Sequence, residues 1–339
     1  MFNRASIVSL LLMLLLTTFL LPCASAGSEQ EVTQNISSTP VRGEENALIS
    51  RLLKGFAENA PRQLYDGVFV YLFEDKLQTI KVHRQVNDKG QLLEQFIPLD
   101  SEQKNSLRVL DNQFCALHNG WLYQFQAVSS SFPFRINNYF EQLQENYTFT
   151  LNKATTIAGI PVQSLLIKAN DPYRYGYQLW LDQKTSTLLK YKLMDQKGNS
   201  IEQYLFTSIK FKDNSAVAAS PLKRDKIISC EVQFQGLNTA YNQYFYSNKV
   251  PKGYQPVSFR KGFINNNEHL ALQFQLSDGI SSVSIFIEQI NQDKNVNGVM
   301  KLGPVNVAGK SMGQYQVTVL GAVPVASALR FLRAVKVPE

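Results

Sequence analysis

The sequence predicts an α+β chain, mainly antiparallel β, organised as two units. Three observations carry this. Short segments of two-residue alternation recur along the chain, separated by gaps rich in Gly, Asn, Asp, Lys and Ser. A helical apolar period occurs in only three places: residues 44–60, a short stretch at 133–144, and the segment after Pro324. The 339 residues are enough for two separate cores. With 44% hydrophobic and 18% charged residues, the composition is that of a folded chain rather than a disordered one.

The first segment, MFNRASIVSLLLMLLLTTFLLPCASA, has Arg4 in a short positive head, an apolar run from Ile7 to Leu21, and then Ala24-Ser25-Ala26. This is the pattern of a secretory signal over residues 1–26, with the mature chain starting at Gly27. Acylation at Cys23 is disfavoured, because Pro22 occupies a position that takes a small residue. A retained anchor is disfavoured too, since the apolar run falls short of the roughly 20 residues a spanning helix needs. Loss of Arg4 lowers the formal net charge from +7 to +6, with no run of five Lys or Arg anywhere. The spread charge reads as a solvated basic surface; nucleic acid is not expected as a partner of an exported protein, and acidic lipid or polysaccharide stays open. Cys115 and Cys230 remain after cleavage, and a bridge between them or two buried thiols both stay open.

Residues 27–43 read as a flexible N-terminus. From there Leu48, Leu52, Phe56 and Ala60, with Leu53 and Ala57 alongside, mark one amphipathic helix that Pro61 stops. Strands follow at 68–73 and 79–86, then in LRVLDNQFCAL and GWLYQF, before a short second helix at 133–144. From Ala158 to Phe211 the segments VQSLLIKA, YGYQLWLD, LLKYKLMD and IEQYLFTSIKF are separated by DPYRYG, QKTST and QKGNS, which makes an antiparallel meander. Alternation puts Tyr177, Leu179 and Leu181 on one face and Gln178, Trp180 and Asp182 on the other. A sheet curled around the first helix covers the apolar face of both, giving a large unit at 44–211. The small, polar stretch at 212–229 reads as a linker, and 230–339 as a smaller α+β unit. Its last helix starts after Pro324, with Val325, Leu329, Leu332 and Val335 sharing a face.

The stretch GPVNVAGKSMG at 303–313 resembles two catalytic motifs and satisfies neither. A phosphate-binding loop needs four residues between its glycines to set the loop size, and five separate Gly303 from Gly309. An esterase elbow around Ser311 needs a helix next and a later His; the alternating YQVTVLGAV follows instead, and no His does. A hairpin turn is expected, with Gly309 and Gly313 free to take positive φ and Lys310 an exposed charge available to a partner. Asp293–Gly298 matches half of a calcium loop, but Lys301 and Pro304 stand where later ligands belong. His83, His118 and His269 are isolated from one another, and Asp182, Asp195 and Glu202 are assigned to turns and strand ends. No catalytic residue, metal or cofactor is therefore expected, and the chain is read as a non-enzyme. The positive signal is aromatic: Phe69, Tyr71 and Phe73, then Trp121, Tyr123 and Phe125, then Tyr175 and Tyr177, at two-residue spacing. Most must be core, yet a curled sheet can enclose an apolar cavity, for which Phe69, Tyr71, Trp121, Tyr123 and Trp180 are the candidates.

The stretch YGYQLWLDQKTSTLLKYKLMDQKGNSIEQYLFTSIKF, followed in order by KVPKGYQPVSFRK, LSDGISSVSIFIE and YQVTVLGAVPVASALRFLRAVK, resembles the RseB/MucB family of periplasmic sigma-E regulators. The likeness runs from about Leu48 to Lys336. It implies a LolA/LolB-like unclosed β-barrel over a helix and a smaller C-terminal α+β domain. It also implies a periplasmic protein that binds the periplasmic part of a transmembrane, RseA/MucA-like anti-sigma factor and shields it from the first regulated protease. A lipid or lipopolysaccharide fragment in the large domain would release it. Tyr254, Phe259 and Arg260 are the candidates for the partner surface. QDKNVNGVMKLG and the two cysteines depart from the family, a homo-oligomer stays open, and a periplasmic lipid or lipoprotein carrier is the alternative.

Overall fold

The computed structural model describes residues 42–73, 76–86, 92–100, 106–109, 136, 140–213, 237–264, 269–289 and 297–337. The signal segment, Cys115, His118, Trp121, Tyr123, Cys230, Asp293 and nearly all of the expected linker lie outside them.

Helix α1, Arg42–Glu58, carries Glu44 and Glu45 in its first turn, where the helix dipole favours negative charge. It ends in a 3-10 turn, Ala60–Arg62, at Pro61, which cannot continue the ladder. Its buried stripe is Ile49, Leu52, Leu53 and Phe56, continued by Ala60. Full burial of each large apolar side chain is worth about 1.5–3 kcal/mol, which is what holds the helix to the sheet. Gly55 lies in the same helix because a Cβ there would collide with the Ser186 hydroxyl.

That sheet has nine strands: β1 Tyr65–Phe73, β2 Lys76–Val86, β3 Leu92–Pro98, β4 Ser106–Val109, β5 Tyr147–Ile157, β6 Ile160–Ala169, β7 Gly176–Asp182, β8 Leu188–Met194 and β9 Ser200–Phe211. Their order is β4-β3-β2-β1-β9-β8-β7-β6-β5, antiparallel throughout and open at both described edges. The inner face of β7 buries Tyr177, Leu179 and Leu181, as the alternation predicts. Strands β3 and β5 were not among the expected elements. In β5 the polar TFTLNKATTI has little alternation to reveal it, and it owes its place to pairing with β6. The short helix at 133–144 reduces, among described residues, to α2, Phe140–Leu143.

The second sheet has six strands: β10 Gln255–Ile264, β11 His269–Ser277, β12 Ser282–Gln289, β13 Gly298–Leu302, β14 Val305–Met312 and β15 Tyr315–Gly321, in the order β10-β11-β12-β15-β14-β13. Helices α3, Leu237–Tyr244, and α4, Val325–Ala334, accompany it, and α4 packs against β14 and β15. The packed side of α4 is Ala328, Phe331 and Leu332, whereas Val325 is exposed and Leu329 half-buried. Of the expected face, Leu332 and Val335 are buried while Val325 and Leu329 are not, so the packed stripe runs instead through Ala328 and Phe331. The glycine expectation is corrected as well: Gly313 turns β14 into β15 at φ +58, but Gly309 sits inside β14 opposite Gly298 and Thr318. The other turn glycine is Gly303 at φ +69, between β13 and β14. Both sheets belong to one compact unit, Pro40–Glu339.

Candidate functional site

Two features stand out, one on each sheet. Across the inner face of the large sheet, one aromatic side chain from each of five strands forms a row. Ring centroids run from Phe69 to Tyr204 at 5.7 Å, to Tyr191 at 5.7 Å, to Tyr177 at 6.3 Å and to Tyr147 at 6.5 Å. Such spacings suit offset and edge-on ring contacts. Tyr71 lies on the same face of β1, and its hydroxyl donates to Glu202 Oε2 at 2.7 Å. Burial first, then the adjacent Glu202 charge, holds the Tyr71 phenol far above its usual value, so it stays protonated and donating. Glu202 is thus a buried hydrogen-bond acceptor within β9, not the solvated strand end expected of it. Asp182 and Asp195 do cap turns, accepting from the amides of Lys184 and Thr185 and from those of Lys197 and Asn199.

The cavity candidates are only partly brought together. Phe69 is 1% exposed and enclosed by Phe96, Tyr204 and Phe206. Trp180 is on the opposite face of β7, with the Lys190 ammonium 4.4 Å from its ring centroid. Alternation in β7 turns it away from the face of Tyr177, Leu179 and Leu181, although it packs half-buried against the same core cluster as Phe69 and Tyr71. His83 pairs with a carboxylate distant in sequence: its Nδ1 is 2.7 Å from Asp66 Oδ1, which also accepts from Lys212 Nζ at 2.7 Å. Among the described residues no three His, Cys, Asp or Glu side chains gather as a metal site.

On the small sheet, a groove of about 490 Å³ is lined by Lys249, Lys310, Met312, Leu329, Leu332 and Arg333. Its floor is apolar and its rim cationic. The residues after Asp293 contain no Asp or Glu until Glu339, yet include Lys301, Lys310, Arg330, Arg333 and Lys336. That asymmetry is legible in the sequence as local composition, although no run of consecutive Lys or Arg marks it. Val299, Met300 and Leu302 of β13 are also exposed apolar side chains. Of the expected partner residues, Tyr254 is 2% exposed and packed edge-on against Phe331 at 4.9 Å, so it belongs to the interior. Phe259 is half-buried against Phe274 at 4.6 Å, and Arg260 follows it in β10, also half-exposed.

No helix among the described residues is long and apolar enough to cross a membrane. Residues 49–228 match the MucB/RseB N-terminal domain, and residues 239–336 the MucB/RseB C-terminal domain. The "Sigma factor AlgU regulatory protein MucB" of Pseudomonas aeruginosa is 27% identical over 296 residues, covering 85% of this chain and 90% of its own. The "Sigma-E factor regulatory protein RseB" of Salmonella typhimurium is 21% identical over 276 residues, covering 80% of this chain and 85% of its own. The crystal structure of MucB in complex with MucA(peri) superposes with a TM-score of 0.60 at 22% identity, over 86% of this chain and 99% of that one. Both domain types, in the same order and over nearly all of residues 49–336, place this chain in the MucB/RseB family.

Proposed function

We propose that the chain is a periplasmic negative regulator of an envelope-stress sigma factor, acting by binding the periplasmic part of its anti-sigma factor. The observation that carries this is the match to both family domains over most of the chain, with relatives described as sigma factor regulatory proteins. A solved relative is a complex of MucB with MucA(peri), which gives the class of partner. Binding shields the anti-sigma factor from its first regulated protease, and lipid or a lipopolysaccharide fragment reaching the interior of the large unit relieves the shielding. We assign the large unit to residues 44–211, the linker to 212–229 and the small unit to 230–339.

The partner surface includes the Lys249/Lys310/Arg333 groove beside Leu329 and Met312, together with the Phe259–Arg260 strand. An acidic segment with a few apolar side chains would satisfy both rim and floor. A ligand switches such a complex only by binding the partner-free form more tightly than the partner-bound one. A tenfold loss of partner affinity needs about 1.4 kcal/mol of that preference, which two buried methylenes supply. The direct test mixes mature protein, the purified periplasmic part of the anti-sigma factor and its protease, with and without lipopolysaccharide. Protection that lipopolysaccharide removes is the expected result; cleavage at an unchanged rate in the presence of the protein overturns the reading.

A further inference from the structure

Residues 171–176, DPYRYG, carry the chain from the β6–β7 turn into the first residue of β7, and three consecutive side chains there reach out of the large sheet into the small one. Tyr173 accepts at its hydroxyl from Arg330 NH1 at 2.8 Å, with that guanidinium 4.6 Å from its ring centroid. Tyr175 accepts from Asn306 Nδ2 at 2.9 Å, an amide that also donates to the Val323 carbonyl at 2.7 Å. Between them, Arg174 is wholly buried. It donates from Nε to Asp278 Oδ2 at 2.5 Å and from NH2 to the Lys252 carbonyl, and it lies over the Tyr254 ring at 4.8 Å. Arg174 also pairs with Asp171 of its own turn, and Gln196 donates to the Asp171 and Arg174 carbonyls, so the turn is braced before it crosses.

The receiving carboxylate divides its work between the two sheets. Asp278 Oδ1 accepts from the amides of Ile280 and Ser281 and so shapes the β11–β12 turn. Its Oδ2 accepts from Arg174 and, at 2.8 Å, from the Tyr147 hydroxyl. Tyr147 is the last member of the aromatic row that begins at Phe69. The interior of the large sheet therefore ends, through one hydroxyl, on the carboxylate that organises a turn of the small sheet.

We propose that residues 171–176 are a latch fixing the small sheet against the large one, with the Arg174–Asp278 pair as its bolt. A ligand that displaces the tyrosine row then acts on the small sheet through Tyr147 and Asp278. A buried, fully hydrogen-bonded pair suits this role, because it is held in one geometry and leaves an uncompensated charge when one member is lost. The expected loss of partner binding rests on the regulatory reading; the latch itself does not.

The test places spin labels at exposed Lys153→Cys and Gln314→Cys, one on each sheet, in a Cys115→Ser/Cys230→Ser background. Pulsed dipolar spectroscopy of the parent should give one narrow distance distribution. Arg174→Met should broaden or shift it while far-UV circular dichroism stays that of the parent; an unchanged narrow distribution overturns the latch. Should Arg174→Met fail to fold, Asp278→Asn and the pair Tyr173→Phe/Asn306→Ala take its place under the same criterion. The latch variants should also bind the purified periplasmic part of the anti-sigma factor at least tenfold more weakly. If the parent does not bind that segment at all, the regulatory reading fails, and the distance measurement still decides the latch.

Discussion

The large sheet and the small sheet solve the same problem with different side chains. The large one closes over α1 with many phenols and rings, and keeps the Tyr71 hydroxyl on Glu202 inside it. The small one closes over α4 with Leu, Ile, Val and Phe, and shows its cations outside. An interior rich in buried hydroxyls depends on partners for each group, so it is sensitive to anything that rearranges them. The small sheet holds fewer buried phenols, yet Tyr254, Ser277, Ser281, Asn306 and Gln316 are buried there and hydrogen-bonded as well. The difference teaches that two antiparallel sheets of one chain can share a fold class and differ in what they enclose.

The comparison is broken most severely from the aliphatic side. Phe331 of α4 is fully buried against Tyr254, so Phe331→Ala should cost about 3–5 kcal/mol and lower the midpoint of thermal unfolding, with the small sheet losing protection first in hydrogen exchange. In the large sheet the corresponding break is electrostatic. Arg84 donates to Glu94 from Nε and NH2 and to the Ala60 carbonyl, all buried. Arg84→Met strands the Glu94 carboxylate and should cost about 3–5 kcal/mol in urea unfolding, whereas Arg84→Met with Glu94→Leu should recover most of it.

Smaller effects sharpen the picture. Gly313 turns the β14–β15 hairpin at φ +58 with open space beside it, so Gly313→Ala should cost about 1 kcal/mol from backbone strain alone. Asp66 is partly exposed: burial pushes its carboxyl up, but hydrogen bonds from Lys212 and His83 outweigh that and hold it below its ordinary value. A depressed carboxylate stabilises above its unfolded value and loses that contribution as pH falls through the folded one. The contribution should therefore fade below pH about 4, and after solvent screening amount to no more than about 0.2–1 kcal/mol. Asp66→Asn should flatten that part of the stability–pH curve. Least of all for stability, Lys310→Glu with Arg333→Glu should change unfolding by under about 0.5 kcal/mol. The same pair should weaken binding of the anti-sigma segment tenfold or more at low salt, and an unchanged affinity would remove the groove from the partner surface.

Much of this was legible beforehand where the signal is local. Alternation in β7 gave its buried face, and Pro61 gave the end of α1. The strand after GPVNVAGKSMG excluded the elbow reading of Ser311, and Lys310 did turn out exposed on the groove rim. The candidate site was less legible. Trp180 lies on the face its own spacing assigns, opposite Tyr177, and Tyr254, expected on the partner surface, is covered by Arg174 and Phe331. Strand β5 was invisible because its side chains carry little alternation, and only its neighbour makes it a strand.

By itself the sequence determined the period of each element, hence the inner and outer faces, the turn glycine Gly313 and the lack of carboxylates between Asp293 and Glu339. Those are properties of residues a few positions apart. The tertiary structure alone decided that Arg174 in a polar turn is buried, that Asp278 receives it across 104 residues of chain, and that Lys249 joins Lys310 and Arg333 at one groove. Such meetings are fixed by how two sheets dock, and no local periodicity encodes which distant side chains will share a buried charge.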